Sequence, residues 1–293
     1  MIKFPTKPGV ILRRLNWLPD GRSLVAIAVN GHSYEAMFWN EEGDPIKSFY
    51  LGRDRGNVPV FGGTFLAIAD NDRVYLKTLA GDDLYEVRPD NLHNANIVAL
   101  GTDGTWLISI LPWPDYEFQS TIQVHELHVL GAVPHCAFFA SGRVHDAVVD
   151  SSRKFLLATS DTGFTIWDLK KKESVLAAPI LGVRNGIWSP DAFRVYLRKA
   201  QQIECRTSFR NDLIWSQPLG AVNSATIQAV SPDGNIIATT DGELVRLFSS
   251  IDGHQIAAYD WQLGQIFALA FAPDGLTIAG GSRDGHIVIW DVE

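Results

Sequence analysis

The sequence predicts an all-β fold of seven repeated four-stranded units. Three observations carry the prediction: a turn motif recurring at steps near 42 residues, an apolar third-strand residue recurring in parallel, and a near absence of helical periodicity. The turn motif is Pro-Asp-Gly, at Pro19-Asp20-Gly21, Pro232-Asp233-Gly234 and Pro273-Asp274-Gly275, with degenerate copies at Thr102-Asp103-Gly104 and Pro190-Asp191-Ala192. Aligned on the apolar runs either side, the last turn residue falls at Gly21, Gly63, Gly104, Arg153, Ala192, Gly234 and Gly275, with steps of 42, 41, 49, 39, 42 and 41. The third-strand marker falls at Trp39, Leu76, Val124, Trp167, Cys205, Phe248 and Trp290, again seven times. Strand-sized apolar runs separated by Gly, Asp, Asn and Pro at this period describe the blade of a β-propeller rather than a helical repeat.

Taken in order, the chain opens with Ile2–Pro5, a strand-sized piece ahead of the first inner strand at residues 11–17. The first and second units are regular in spacing. Both marker series lengthen inside the third unit, where the segment LPWPDYEFQS follows the second strand, so one insertion explains both. The fourth to sixth units return to the common period. In the last unit, Ile266–Phe271, residues 276–281 and residues 286–290 read as three strands joined by Pro273-Asp274-Gly275 and Arg283-Asp284-Gly285. A fourth strand is missing there, because the sequence reaches Glu293 directly after the third. An unpaired edge in a closed propeller invites aggregation, so Ile2–Pro5 is expected to supply the outer strand and close the ring, with Pro5 tolerated at an edge. One inner-strand position, held by Trp17, Leu100, Val149, Trp188, Val230 and Phe271, is expected to be buried between blades. A single domain over residues 1–293 follows from the continuity of the repeat.

Composition narrows the function. With 46% hydrophobic and 20% charged residues the chain can close a large core. A net charge of −8 without a long basic run argues against a general nucleic-acid binder, which must neutralise many phosphates. Cys136 and Cys205 stand at hydrophobic positions without metal-ligand spacing and read as reduced core thiols. The start MIKFPTKPGV has no apolar signal region, and no stretch reaches the roughly 18 apolar residues of a membrane span. A cytoplasmic protein without membrane contact is the expectation.

Trp167-Asp168 and Trp290-Asp291, with SPDG or APDG before a second strand, resemble the WD40-repeat family along the whole chain, most clearly in the fourth, sixth and seventh units. That resemblance implies a seven-bladed propeller acting as a protein-interaction scaffold. It also implies a buried network of His, Ser or Thr, Asp and Trp within a blade. Ser282, Asp284 and Trp290 match three members of the network, and Thr159, Asp161 and Trp167 match three in the fourth unit. The histidine is replaced by Gln262 and Ala140, so the network must be shortened or rebuilt.

The sequence offers no catalytic constellation, metal site or cofactor motif, and the chain reads as a non-enzyme. His145 and Asp146 are the acid-base candidates on the inner strands, but strand neighbours face opposite ways. His125 and His128 share that geometry, and the histidines as a group read as polar loop or edge residues. Arg14, Arg55 and Arg184 come from different units and suit either a small anion or metabolite at the channel mouth or pairing with nearby acids such as Asp54 and Asp146. The insertion concentrates Trp113, Asp115, Tyr116 and Phe118, which suits either a partner-binding anchor or a cover for the neighbouring blade. Arg53, Arg55 and His93 lie on nearby connections and extend the same patch. The partner is expected to be another protein or peptide, bound by a monomer.

Overall fold

The computed structural model describes residues 1–53, 58–70, 73–87, 96–101, 105–112, 119–128, 131–220, 228–241 and 243–292. Every regular element among them is a β-strand, and the strands form seven four-stranded antiparallel sheets, the blades of a β-propeller. The first blade comprises Val10–Trp17, Ser23–Asn30, Ser33–Asn40 and Pro45–Arg53, paired in chain order. The next five blades repeat that order, and the last runs Ile266–Phe271, Thr277–Ser282 and His286–Asp291. Its fourth strand is Ile2–Pro5, with Ile2 opposite Ile289 and Pro5 opposite His286, as the missing outer strand requires. Thr6 continues the junction, its amide and hydroxyl both donating to the Gly285 carbonyl at 2.7 Å. No helix among the described residues is long and apolar enough to cross a membrane.

The recurring turn has a physical cause that the structure makes plain. Six of the seven aligned turn residues are described, and all have left-handed backbone: Gly21 (φ 68°), Gly63 (57°), Arg153 (60°), Ala192 (60°), Gly234 (76°) and Gly275 (75°). Glycine adopts this conformation without steric penalty, which is why it dominates the position. The aspartate before it folds the turn: Asp20 accepts from the amides of Arg22 and Ser23 at 2.8 and 2.9 Å, and Asp274 from Leu276 at 2.9 Å. In Asp233 the Ser231 hydroxyl and then the Asn235 amide hold the carboxyl below its ordinary range. A Cβ on Gly275 would lie 3.5 Å from Pro232, and one on Gly234 3.2 Å from Pro190, so each turn's glycine sits against the proline of the preceding one. Ala192 meets the same backbone demand with a Cβ. Ala192→Gly is therefore expected to stabilise the protein by about 0.5–1 kcal/mol, because relief of left-handed strain outweighs glycine's entropy in the unfolded chain. A lowered urea midpoint would contradict this.

The third-strand marker is equally structural. Trp39, Leu76, Val124, Trp167, Cys205, Phe248 and Trp290 are all buried. The inner-strand position divides instead: Trp17, Leu100 and Trp188 are buried, whereas Val149, Val230 and Phe271 are half-buried, short of the expectation. These residues end their strands where the chain opens into the turn, and the aromatic of the following blade reaches the backbone beside them. Trp17 Nε1 donates to the Ala270 carbonyl at 3.2 Å and Trp188 Nε1 to the Val148 carbonyl at 3.1 Å, the same link made twice.

The backbone divides into two compact units. One comprises Met1–Asp54, Ser189–Thr207 and Asp212–Glu293, and the other Arg55–Trp188 with Ser208–Asn211. In the first, Val10, Leu12, Leu24, Trp39, Ile287 and Ile289 pack with half-buried Phe4 of the amino-terminal strand. In the second, Ile108, Ile122, Phe138, Leu156 and Trp167 form a core across the third and fourth blades. The third blade is enlarged: Trp106–Pro112, Gln119–His128 and Gly131–Ser141 are its later strands, with Leu111 opposite Thr121 and Pro112 opposite Ser120. Four of the ten inserted residues thus lengthen a hairpin rather than a loop.

Candidate functional site

Three of the inner strands depart from strict alternation at the same place. Register shifts occur between Leu12 and Arg14, between Val144 and Asp146, and between Ile266 and Ala268. The bulged residues Arg13, His145 and Phe267 each lie eight positions before their turn residue, so these three blades share the bulge; the third blade shifts instead between Ile97 and Ala99, around a residue six positions before Gly104. A bulge re-aims side chains and bends its strand, so the rule that neighbours face opposite ways does not apply to His145 and Asp146. They are separated by their partners instead. His145 Nε2 lies 2.7 Å from Asp161 Oδ1, and Asp146 Oδ2 accepts from Asn185 Nδ2 at 2.5 Å on the next inner strand. Arg13 lies over the Phe267 ring, 5.9 Å from its centroid.

The His145–Asp161 contact does not rebuild the shortened network: the Asp161 side chain is exposed, and the buried Thr159 hydroxyl of the same blade has no hydrogen-bond partner. In the last blade Ser282 Oγ accepts from the His286 amide at 3.1 Å, while the buried Trp290 Nε1 has no hydrogen-bond partner.

Of the anion candidates, Arg14 is half-buried on Val10–Trp17 and Arg184 is exposed on Val183–Trp188, and the two belong to different compact units. Arg53 is exposed at the end of the fourth strand of the first blade. Arg55, His93, Trp113, Asp115, Tyr116 and Phe118 lie outside the described residues.

The reading of the histidines needs correction at His125. It is fully buried in the middle of Gln119–His128, with Nε2 3.3 Å from Ser109 Oγ, and burial holds its pKa below the ordinary value, favouring the neutral ring. Cys205 is fully buried and burial pushes its thiol up to about 12, which makes it an inert core residue. Cys136 is half-buried, and burial raises its thiol as well. Among the described residues no group of three or more His, Cys, Asp or Glu side chains is placed to hold a metal ion.

Sequence reading missed the buried charges of the fifth blade. Arg198 is fully buried, donating from Nη1 to the Gln202 carbonyl at 3.5 Å; burial lowers its pKa and the charge of Asp241 opposes that. Burial works to raise the Glu204 carboxyl, yet it stays below its ordinary range because Lys199 and Arg206 donate to it at 2.5 and 2.7 Å. Charged residues inside the run RVYLRK were the available signal.

A groove in the second unit is the other notable feature. Lys154, Phe155, Lys170, Lys171, Val175 and Phe209 line a space of about 620 Å³ with Asp168 among them. It lies at the end of the fourth blade where the first and third connections meet.

The family described as "WD domain, G-beta repeat" matches residues 245–291. This stretch covers the outer two strands of the sixth blade and the first three of the seventh, so the sequence repeat is offset from the structural blade. No curated protein matches the chain. The chain thus carries a WD repeat that runs directly into a last blade completed by the amino-terminal strand, on a β-propeller fold of seven four-stranded blades.

Proposed function

We propose that the chain is a non-catalytic scaffold that binds another protein or a peptide through side chains on its blade connections. The observation that carries this reading is the matched WD repeat, since WD40 propellers are commonly protein-interaction scaffolds. A rigid blade framework supports it, because connections can vary in sequence without disturbing the buried third-strand positions. The inserted segment is the proposed anchor: Trp113 and Tyr116, with Asp115 and Phe118, are residue types that dominate interface energy, and Arg53, Arg55 and His93 extend the patch. The net charge of −8 favours a protein partner over nucleic acid, and the two free cysteines suit a reducing cytoplasm. We place the protein there as a monomer.

Trp113→Ala or Tyr116→Ala is expected to leave thermal unfolding nearly unchanged while weakening capture of the partner from the native cell by about 2 kcal/mol or more. Calorimetric melting and quantitative affinity capture, run on the same preparations, check this. A Trp113 variant that melts several degrees earlier and binds normally would make the segment a packing device.

A further inference from the structure

The groove at the end of the fourth blade combines apolar and cationic chemistry in one place. Phe155 and Phe209 meet at 4.7 Å between ring centroids, their planes tilted by 58°, and Phe209 remains 40% exposed. Val175 extends this apolar floor from the outer strand. Lys154 reaches over the Phe155 ring, 4.9 Å from its centroid, and Lys170 and Lys171 stand exposed on the third connection. Asp168 is buried and turned into its own turn, accepting from the amides of Lys170 and Lys171 at 3.0 and 2.9 Å. Lys171 meets Glu173 at 3.7 Å, but both side chains are more than half exposed, and water screens such a pair. Three ammonium groups thus border an apolar slot on a chain whose net charge is −8.

We propose that this groove docks an acidic peptide segment with an aromatic or aliphatic side chain, the apolar group seated on Phe155, Val175 and Phe209 and the flanking carboxylates facing Lys154, Lys170 and Lys171. The proposal rests on the scaffold reading and gives it a second surface and a partner chemistry. The charges set approach and orientation, and the aromatic floor holds the anchor. A phosphate backbone is the weaker fit, because three lysines in one short groove follow it for only a few residues.

The probe is a short fluorescein-labelled peptide of aspartate and glutamate with one phenylalanine and one leucine at its centre, titrated against the full chain by anisotropy. Saturable binding that weakens with added salt is expected. The double variant Lys170→Glu and Lys171→Glu, and separately Phe209→Ala, should each weaken it at least about tenfold. Both lysines are exposed, so the double variant should melt as the parent does and keeps the test valid even if Phe209→Ala loosens its turn. Equal binding by the lysine variant, equal binding of a peptide whose two apolar residues are serine, or tighter binding of a labelled oligothymidylate overturns the proposal. A silent peptide with intact capture of the native partner overturns the groove alone and leaves the scaffold reading standing. Peptide binding by a protein that captures no native partner supports the groove and overturns the scaffold reading.

Discussion

Replacing Trp188 by alanine is expected to destabilise the protein by about 3–5 kcal/mol in denaturant unfolding, the usual cost of emptying a buried aromatic site. Trp188 is 7% exposed, its indole donates to the Val148 carbonyl at 3.1 Å, and its ring lies 6.4 Å from that of Phe155. Truncation therefore removes packing and also strips a hydrogen bond from a neighbouring backbone carbonyl. Phe155 in turn touches Phe209, so the substitution should loosen the groove of the fourth blade as well as the core. Trp188→Phe separates the two contributions: it keeps most of the packing and loses the indole donor, and about 1–2 kcal/mol is the expected cost. A loss below about 1 kcal/mol for Trp188→Ala would mean that the indole is not a structural link between inner strands.

Deletion of residues 1–7 is the second change with a large expected effect. It removes the strand Ile2–Pro5 with its full register against His286–Asp291, the Thr6 bonds to Gly285, and the packing of Phe4 against Trp39 at 5.9 Å. The ion pair of Lys7 with Glu35 goes too, although its surface position makes it a small contributor. What remains is a bare edge of sequence HIVIWD, apolar and β-branched, which is the composition that pairs with other chains. A fall of at least about 5 °C in melting temperature, or elution as aggregate in gel filtration, is the expected result. An unchanged, monodisperse protein would show that the last blade does not depend on its amino-terminal strand.

Much of the fold was legible because its determinants are local. A left-handed turn residue preceded by a side-chain acceptor is a short-range requirement, and it located the turns so well that Arg153 and Ala192, neither of them glycine, were placed at positions with φ near 60°. Burial of Leu76, Val124 and Cys205 where other blades carry tryptophan or phenylalanine followed from spacing alone, as did the missing fourth strand of the last blade. Strand periodicity also predicted that His145 and Asp146 could not face one way; the bulge removes that ground, and it is their separate partners, Asp161 and Asn185, that keep them apart. The bulge that breaks alternation leaves no mark in composition, since Arg13, His145 and Phe267 share no chemistry, and only the pairing to the next strand exposes it.

What the tertiary structure alone decided are the contacts between residues far apart in the chain. His125 reads as a polar histidine in sequence, but the enlarged third blade surrounds it and leaves it neutral. Arg198 is a buried charge that meets the Gln202 carbonyl across its hairpin and the charge of Asp241 on the next blade. The groove depends on Phe209, in the turn after one strand, meeting Phe155 at the start of another beside lysines from a third connection. Turn chemistry and side-chain alternation are properties of a few adjacent residues and repeat with the chain. Surfaces and buried charges are properties of which turns come together, and no period in a single sequence carries that information.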